Sequence, residues 1–234
     1  VPIFAQGVLG VSVARSGFLL IPLDIGLIVV SAANGFLISK TGRFKPQMLL
    51  GIPLIAVGYY LMLTLGPSST YEALLFRMLL IGIGLGSAMQ TYTIVVQSAV
   101  PHRDLGVATG ALQFFRNVGS TVGIALLGTM LTGNLREQLP RHIPVDAAPE
   151  VASLAEALVS EQGITTLFEP SRLAGVPAEV IDGIRAGLHA SFQPLFWAGL
   201  LFVGLAFLFA LLLKPIVLRE GRPDAAPEGE GQVA

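Results

Sequence analysis

Two ionisable side chains, Asp24 and Arg116, stand inside stretches of about 20 residues that otherwise carry no charge. At the centre of an apolar helix each charge costs about 2.5 to 3.5 kcal/mol, so each calls for a partner, water or a bound solute. Around Arg116, the residues Gln113, Asn117 and Ser120 complete an i, i+3, i+4, i+7 series that lies on one helical face. Gly86, Gln90, Thr93 and Gln97 make a second stripe, and Asp24, Ser31, Asn34 and Gly35 a third. A carboxylate, a guanidinium and amides facing a wet cavity bind protons or hold a cationic, amphipathic solute. This is the chemistry of transport, with Asp24, Gln90, Thr93, Gln113, Arg116 and Asn117 as the expected substrate or proton pathway. The competing reading is polar glue between packed helices, with Asp24 and Arg116 paired to each other or to a further part of the protein.

Bond-breaking chemistry has little support. The three histidines, His102, His142 and His189, form no paired metal spacing, and the chain has no cysteine to act as nucleophile or thiolate ligand. The run GIGLGSAMQ at 82–90 is glycine-rich but lies inside an apolar segment with no preceding strand, so close helix packing explains it better than a phosphate loop. No catalytic residue, metal or cofactor is expected. A net charge of -1 offers no field for nucleic acid.

The elements that would position these residues are membrane spans. Of 234 residues, 53% are hydrophobic and 12% charged, against roughly a quarter charged in soluble domains. Five stretches are apolar enough to cross a bilayer: about 17–38, 47–66, 73–96, 107–131 and 192–213. Every charged residue lies outside them except Asp24, Arg77 and Arg116, and Arg77 is close enough to an interface to snorkel. By helical rise, Asp24 lies about 10 Å below the outer surface and Arg116 about 15 Å from the inner one, near the midplane. The second and fifth spans read as apolar all round, apart from Tyr59, Tyr60 and Thr64. They are expected outside, against lipid, with the first, third and fourth around the cavity.

Lys40, Arg43, Lys45, Arg103, Lys214, Arg219 and Arg222 share one set of loops, and Arg15, Arg136, Arg141, Arg172 and Arg185 the longer alternate set. The first set is expected on the cytoplasmic side. The segment 132–191, with eight acidic and four basic residues, is then an extracytoplasmic loop, in which PEVASLAEALVSEQ and PAEVIDGIRAGLHASF predict two short surface helices, the second leading into the last span. Residues 1–16 read as the end of a preceding span plus an outer loop, which makes the chain a C-terminal piece of a longer protein. Residues 214–234, rich in Pro, Gly and Glu, read as a disordered cytoplasmic tail. Gly106 with Gly110 and Gly119 with Gly123 are spaced for close helix approach, and Pro22 and Pro53 for kinks.

The loop after the first span runs Gly35-Phe36-Leu37-Ile38-Ser39-Lys40-Thr41-Gly42-Arg43-Phe44-Lys45. It resembles the G-x-L-a-D-r-x-G-r-k motif of the major facilitator superfamily, a cytoplasmic gating loop between neighbouring helices. Gly35, Leu37, Lys40, Gly42 and Arg43 match; Ser39 replaces the motif's acid, and as a cap it would serve the following turn. The stretch VQSAVPHRDLGVATGALQFFRNVGSTVGIALLGTML, Val96 to Leu131, is similar to a late segment of the fourteen-span drug:proton antiporters of the EmrB/QacA type, which carry a V-P-x-x-x-x-G-x-A-T-G-x-x-x-F-x-R run. The resemblance implies an all-α integral membrane fold: the C-terminal helical bundle of that superfamily, with five complete transmembrane helices and the end of a preceding one. It also implies proton-coupled efflux of an amphipathic or cationic small molecule by alternating access. The expected partners are the substrate, protons, the lipid bilayer and an N-terminal bundle of the same protein, and the expected location is the bacterial cytoplasmic membrane. A non-transporting membrane partner or channel subunit, and an integral-membrane enzyme, are the alternatives.

Overall fold

The computed structural model describes residues 1–66, 69–142 and 178–213, and these residues form an all-α membrane bundle with no strand among them. Two short helices, α1 (Pro2–Gly7) and α2 (Val13–Gly17), precede five long ones: α3 (Leu20–Thr41), α4 (Lys45–Leu63), α5 (Tyr71–Ser98), α6 (Leu105–His142) and α7 (Ala178–Leu212). A 3-10 turn at His102–Asp104 joins α5 to α6. All five long helices are long and apolar enough to cross a membrane.

The helices form an open arc in the order α3, α5, α4, α7, α6. Of the five, α5 and α4 are the most covered and α6 the least. An outer cluster packs Phe4 of α1 edge-on against Phe192 and Phe196 of α7, together with Leu74, Met78, Leu135 and Leu139. An inner cluster joins Met48, Ile52 and Ile55 of α4 to Ala88 of α5 and Ala210 of α7. A third, of Ile38, Phe44 and Val95, closes the loop between α3 and α4. In lipid the hydrophobic effect does not drive helices together, so this packing rests on dispersion and close backbone approach.

Glycines supply that approach. A Cβ on Gly82 or Gly86 of α5 would overlap the Leu23 or Leu27 carbonyl of α3, and one on Gly26 would lie 2.9 Å from the Leu79 carbonyl. On the opposite face of α5, a Cβ on Gly84 would lie 2.8 Å from the Gly51 carbonyl of α4. The run at 82–90 is therefore a two-sided packing seam. Gly106, Gly110, Gly119 and Gly123 of α6, expected at a helix contact, meet nothing within 4 Å.

Several boundaries differ from the sequence reading. α6 continues past 131 to His142, because Leu135 and Leu139 are buried in one cluster with Ile184 and Leu188 of α7 while Arg141 pairs with Glu137 at 2.9 Å on the exposed side. The second helix, expected to lead into the last span, runs into it without a break, so α7 begins at Ala178. At 1.5 Å per residue, α6 is about 57 Å long and exceeds a hydrocarbon core of about 30 Å. Pro22 falls in the first turn of α3, where its missing N–H costs no helical bond and a kink is not required. Pro53 lies inside α4. The other expected surface helix and the expected tail at 214–234 lie outside the described residues.

Candidate transport site

The polar centre of the bundle is built on α5, which is flanked by α3 and α4. Ser31 of α3 donates to the Gly86 carbonyl at 3.0 Å, reaching backbone that only glycine leaves open. One turn on, the Asn34 amide donates to Ser87 Oγ at 2.7 Å, and Ser87 Oγ donates to the Gln47 carbonyl of α4 at 2.7 Å. Ser87 and Gln47 are buried. One hydroxyl thus ties three helices. Gln47 Oε1 is buried without a hydrogen-bond partner among the described residues, which in a bilayer leaves an acceptor to be met by water or by a moving group.

The expected pathway residues fall into two groups. Gln90 lies beside Gly35 at the α3–α5 crossing, its Nε2 at 3.7 Å from where a Cβ on Gly35 would stand. Thr93, one turn further along α5, is half-buried and bonds back to the Met89 carbonyl at 3.0 Å. Gln97 crosses to Thr109 of α6 at 3.3 Å. The second group lies on α6: Arg116 is half-buried and donates to Gln113 Oε1 at 3.2 Å, while Gln113 and Asn117 are exposed. Asp24 is exposed on α3. Among the described residues neither Asp24 nor Arg116 makes an ion pair, and α3 and α6 do not pack extensively together, so the two charges do not form a structural pair here.

The loop residues are well defined. Gly42 takes φ 63° and its N–H caps α3 by donating to the Ile38 carbonyl at 2.8 Å; this left-handed conformation suits glycine. Ser39 does not cap the following turn. It donates back to the Phe36 carbonyl at 2.8 Å, since α3 continues through it. Lys40 stands over the Phe36 ring at 4.5 Å, and Arg43 is exposed with its N–H 3.4 Å from Thr41 Oγ1. Phe44, fully buried beside Ile38 and Val95, anchors the loop.

Two sets of polar residues escaped the sequence reading. Gln47, Ser87 and Thr91 form the α4-facing side of the polar centre, and the i, i+4 spacing of Ser87 and Thr91 is the signal that could have revealed it. At the C-terminal end of α4, His189 and Gln193 of α7 reach the Leu65 and Leu63 carbonyls at 2.5 and 3.0 Å. These side chains serve the C-terminal carbonyls of α4, where donors and positive charge are favourable. Arg77, expected to snorkel, donates to the Thr64 hydroxyl at 3.1 Å at the same helix end.

Known proteins bear on this arrangement. The family model described as Major Facilitator Superfamily matches residues 1–124. The multidrug transporter protein MdtP of Bacillus subtilis (strain 168) is 32% identical over 98% of this chain and 45% of its own length. A tetracycline resistance determinant of Streptomyces rimosus is 28% identical over 98% of this chain and 68% of its own. The aspyridones efflux protein of Neocamarosporium betae is 32% identical over 61% of the chain and 25% of its own. The chain spans less than half the length of MdtP. With a match over more than half of its residues and five membrane-length helices around a polar centre, the chain belongs to the major facilitator superfamily, a family of transporters rather than enzymes.

Proposed function

We propose that this chain is the C-terminal portion of a proton-coupled efflux transporter of the fourteen-span drug:proton antiporter type. It exports an amphipathic or cationic small molecule by alternating access across the bacterial cytoplasmic membrane. The observation that carries this reading is the polar face of α6, where Gln113, Asn117 and Ser120 are exposed, together with the exposed Asp24 of α3, on either side of a polar centre built on α5. Lipid would make such polar surface costly, so it requires water or a solute. Relatives named for multidrug transport, tetracycline resistance and efflux support a drug-like substrate class.

Arg116 lies about 16 Å along α6 from Leu105, at mid-membrane depth, where a fixed positive charge orients an anionic group or repels a proton-carrying cation. Asp24, on the opposite arm of the arc, supplies the carboxylate that exchanges a proton against a cationic substrate. Lys40, Arg43, Lys45 and Arg103 support a cytoplasmic placement of their loops and of the C-terminus.

The test uses the full-length protein in proteoliposomes loaded with a fluorescent lipophilic cation, with an imposed proton gradient. Gradient-driven movement abolished by an uncoupler is expected. Asp24→Asn and Arg116→Ala should each lower the coupled rate by about tenfold, the equivalent of about 1.4 kcal/mol, at unchanged expression. Movement that ignores the uncoupler would argue for a channel or uniporter, and wild-type rates in both variants would remove these residues from the pathway.

A further inference from the structure

Lys40, Arg43 and Lys45 place three positive charges within six residues, in a segment from Gly35 to Lys45 that contains no carboxylate. Three other cations of the described residues have a carboxylate nearby: Arg103 lies 3.6 Å from Asp104, Arg141 2.9 Å from Glu137 and Arg185 3.5 Å from Asp182, while Arg15, Arg77 and Arg116 meet a ring, a hydroxyl and an amide. No such pair involves Lys40, Arg43 or Lys45 among the described residues. Lys45 opens α4, at the helix end where the dipole disfavours a cation, so its charge does not serve the helix. The loop that carries the three is held in shape by the Gly42 turn and by the buried Phe44, Ile38 and Val95. The loop backbone is therefore ordered before anything binds, with Lys40 and Arg43 exposed and Lys45 half-buried. Phe36, 62% exposed, lies under the Lys40 ammonium, and Leu50, five residues along α4 from Lys45, is 67% exposed, as expected near the boundary between acyl chains and headgroups.

We propose that Lys40, Arg43 and Lys45 form a binding site for the phosphate of anionic phospholipid headgroups at the membrane surface. A phosphate ester supplies the negative charge that the loop lacks, a glycerol backbone of the same lipid lies level with the Lys40–Phe36 contact, and its chains pack along Phe36 and Leu50. Occupancy would brace the α3–α4 loop and so tie the transporter to the anionic lipid content of its membrane. The site faces the inner leaflet if the orientation proposed above is right, but lipid binding depends on neither that orientation nor on transport.

The experiment places a fluorophore on Leu50→Cys in a full-length protein otherwise free of cysteine, reconstituted in symmetric nanodiscs of brominated phosphatidylglycerol mixed with phosphatidylcholine. Quenching by the brominated lipid reports its local enrichment. The expected result is an enrichment of about fivefold over phosphatidylcholine, falling towards unity at about 1 M salt, where the Debye length is about 3 Å. The K40Q, R43Q and K45Q substitutions combined should abolish it, and K40R, R43K and K45R combined should retain it, which separates charge from folding. Equal quenching by the two lipids, or a preference that survives the glutamine substitutions, overturns the proposal. So does a preference that emerges only when residues 220–234 are deleted, since Glu220, Asp224, Glu228 and Glu230 are the rival anions. Symmetric discs report the same preference whichever way the protein is inserted, and a loss of transport alone leaves it unchanged.

Discussion

Ser87 accepts from Asn34 and donates to the Gln47 carbonyl, so its one oxygen carries two of the polar links between α3, α5 and α4. Replacing it with alanine removes both bonds and leaves the Asn34 amide without this acceptor, the Gln47 carbonyl keeping its helical position in α4, although interhelical hydrogen bonds in lipid average only about 0.6 kcal/mol and reach about 1.7. Ser87→Ala should lower the unfolding free energy of the full-length protein in mixed micelles by about 1 kcal/mol. Asn34→Ala should cost a similar amount, and the double variant less than the sum, because both remove the same bond. Strict additivity in this cycle would show that the bond is not formed in the membrane. Half of this centre was legible in the sequence: Ser31, Asn34 and Gln90 align on helical faces. Ser87 and Gln47 were not, since a lone serine among glycines reads as a small packing residue and a glutamine at a span's first turn reads as interfacial.

The glycines show what a helix pattern reveals and what it withholds. Spacing marks where a helix has a small-residue stripe, but not which way the stripe faces once neighbours are placed. On α5 the stripe is filled by α3 and α4, whereas on α6 the glycines face open space among the described residues. Adding a methyl at Gly82 forces a Cβ into the Leu23 carbonyl, which is backbone and cannot swing aside. Gly82→Ala should therefore cost about 1 to 3 kcal/mol in the same unfolding assay. Gly110→Ala should be neutral or slightly stabilising, since alanine is the better helix former by about 1 kcal/mol in water. Comparable losses at the two sites would mean that a partner covers α6. The spans themselves were legible because a bilayer demands about 20 apolar residues in a row. The start of α7 was legible too, from the helical apolar spacing of 177–192, but the end of α6 was not, because polarity tells a water-exposed segment from a lipid-exposed one without saying whether it is helical.

At the scale of the whole molecule, the helical ends turn orientation into a measurable quantity. Leu135 and Leu139 of α6 are buried with residues of α7 beyond the expected fourth span, so α6 and α7 stay packed together past 131. His142, exposed at the end of α6, lies about 16 Å past Leu131 by helical rise. Ser98, exposed at the far end of α5, lies next to the 3-10 turn that carries Arg103. The excess of Lys and Arg around that turn and the α3–α4 loop supports a cytoplasmic side for Ser98 and an outer side for His142. In intact cells, a membrane-impermeant maleimide should label His142→Cys in the full-length protein and leave Ser98→Cys unreacted until the membrane is permeabilised. The reverse pattern would invert the topology and with it the direction of transport proposed above. Labelling of both sites in intact cells would mean that α5 and α6 are joined by no membrane-sealed turn, and the five-span arrangement would fail. The readout depends on side of access alone, so it holds whether or not the substrate is known.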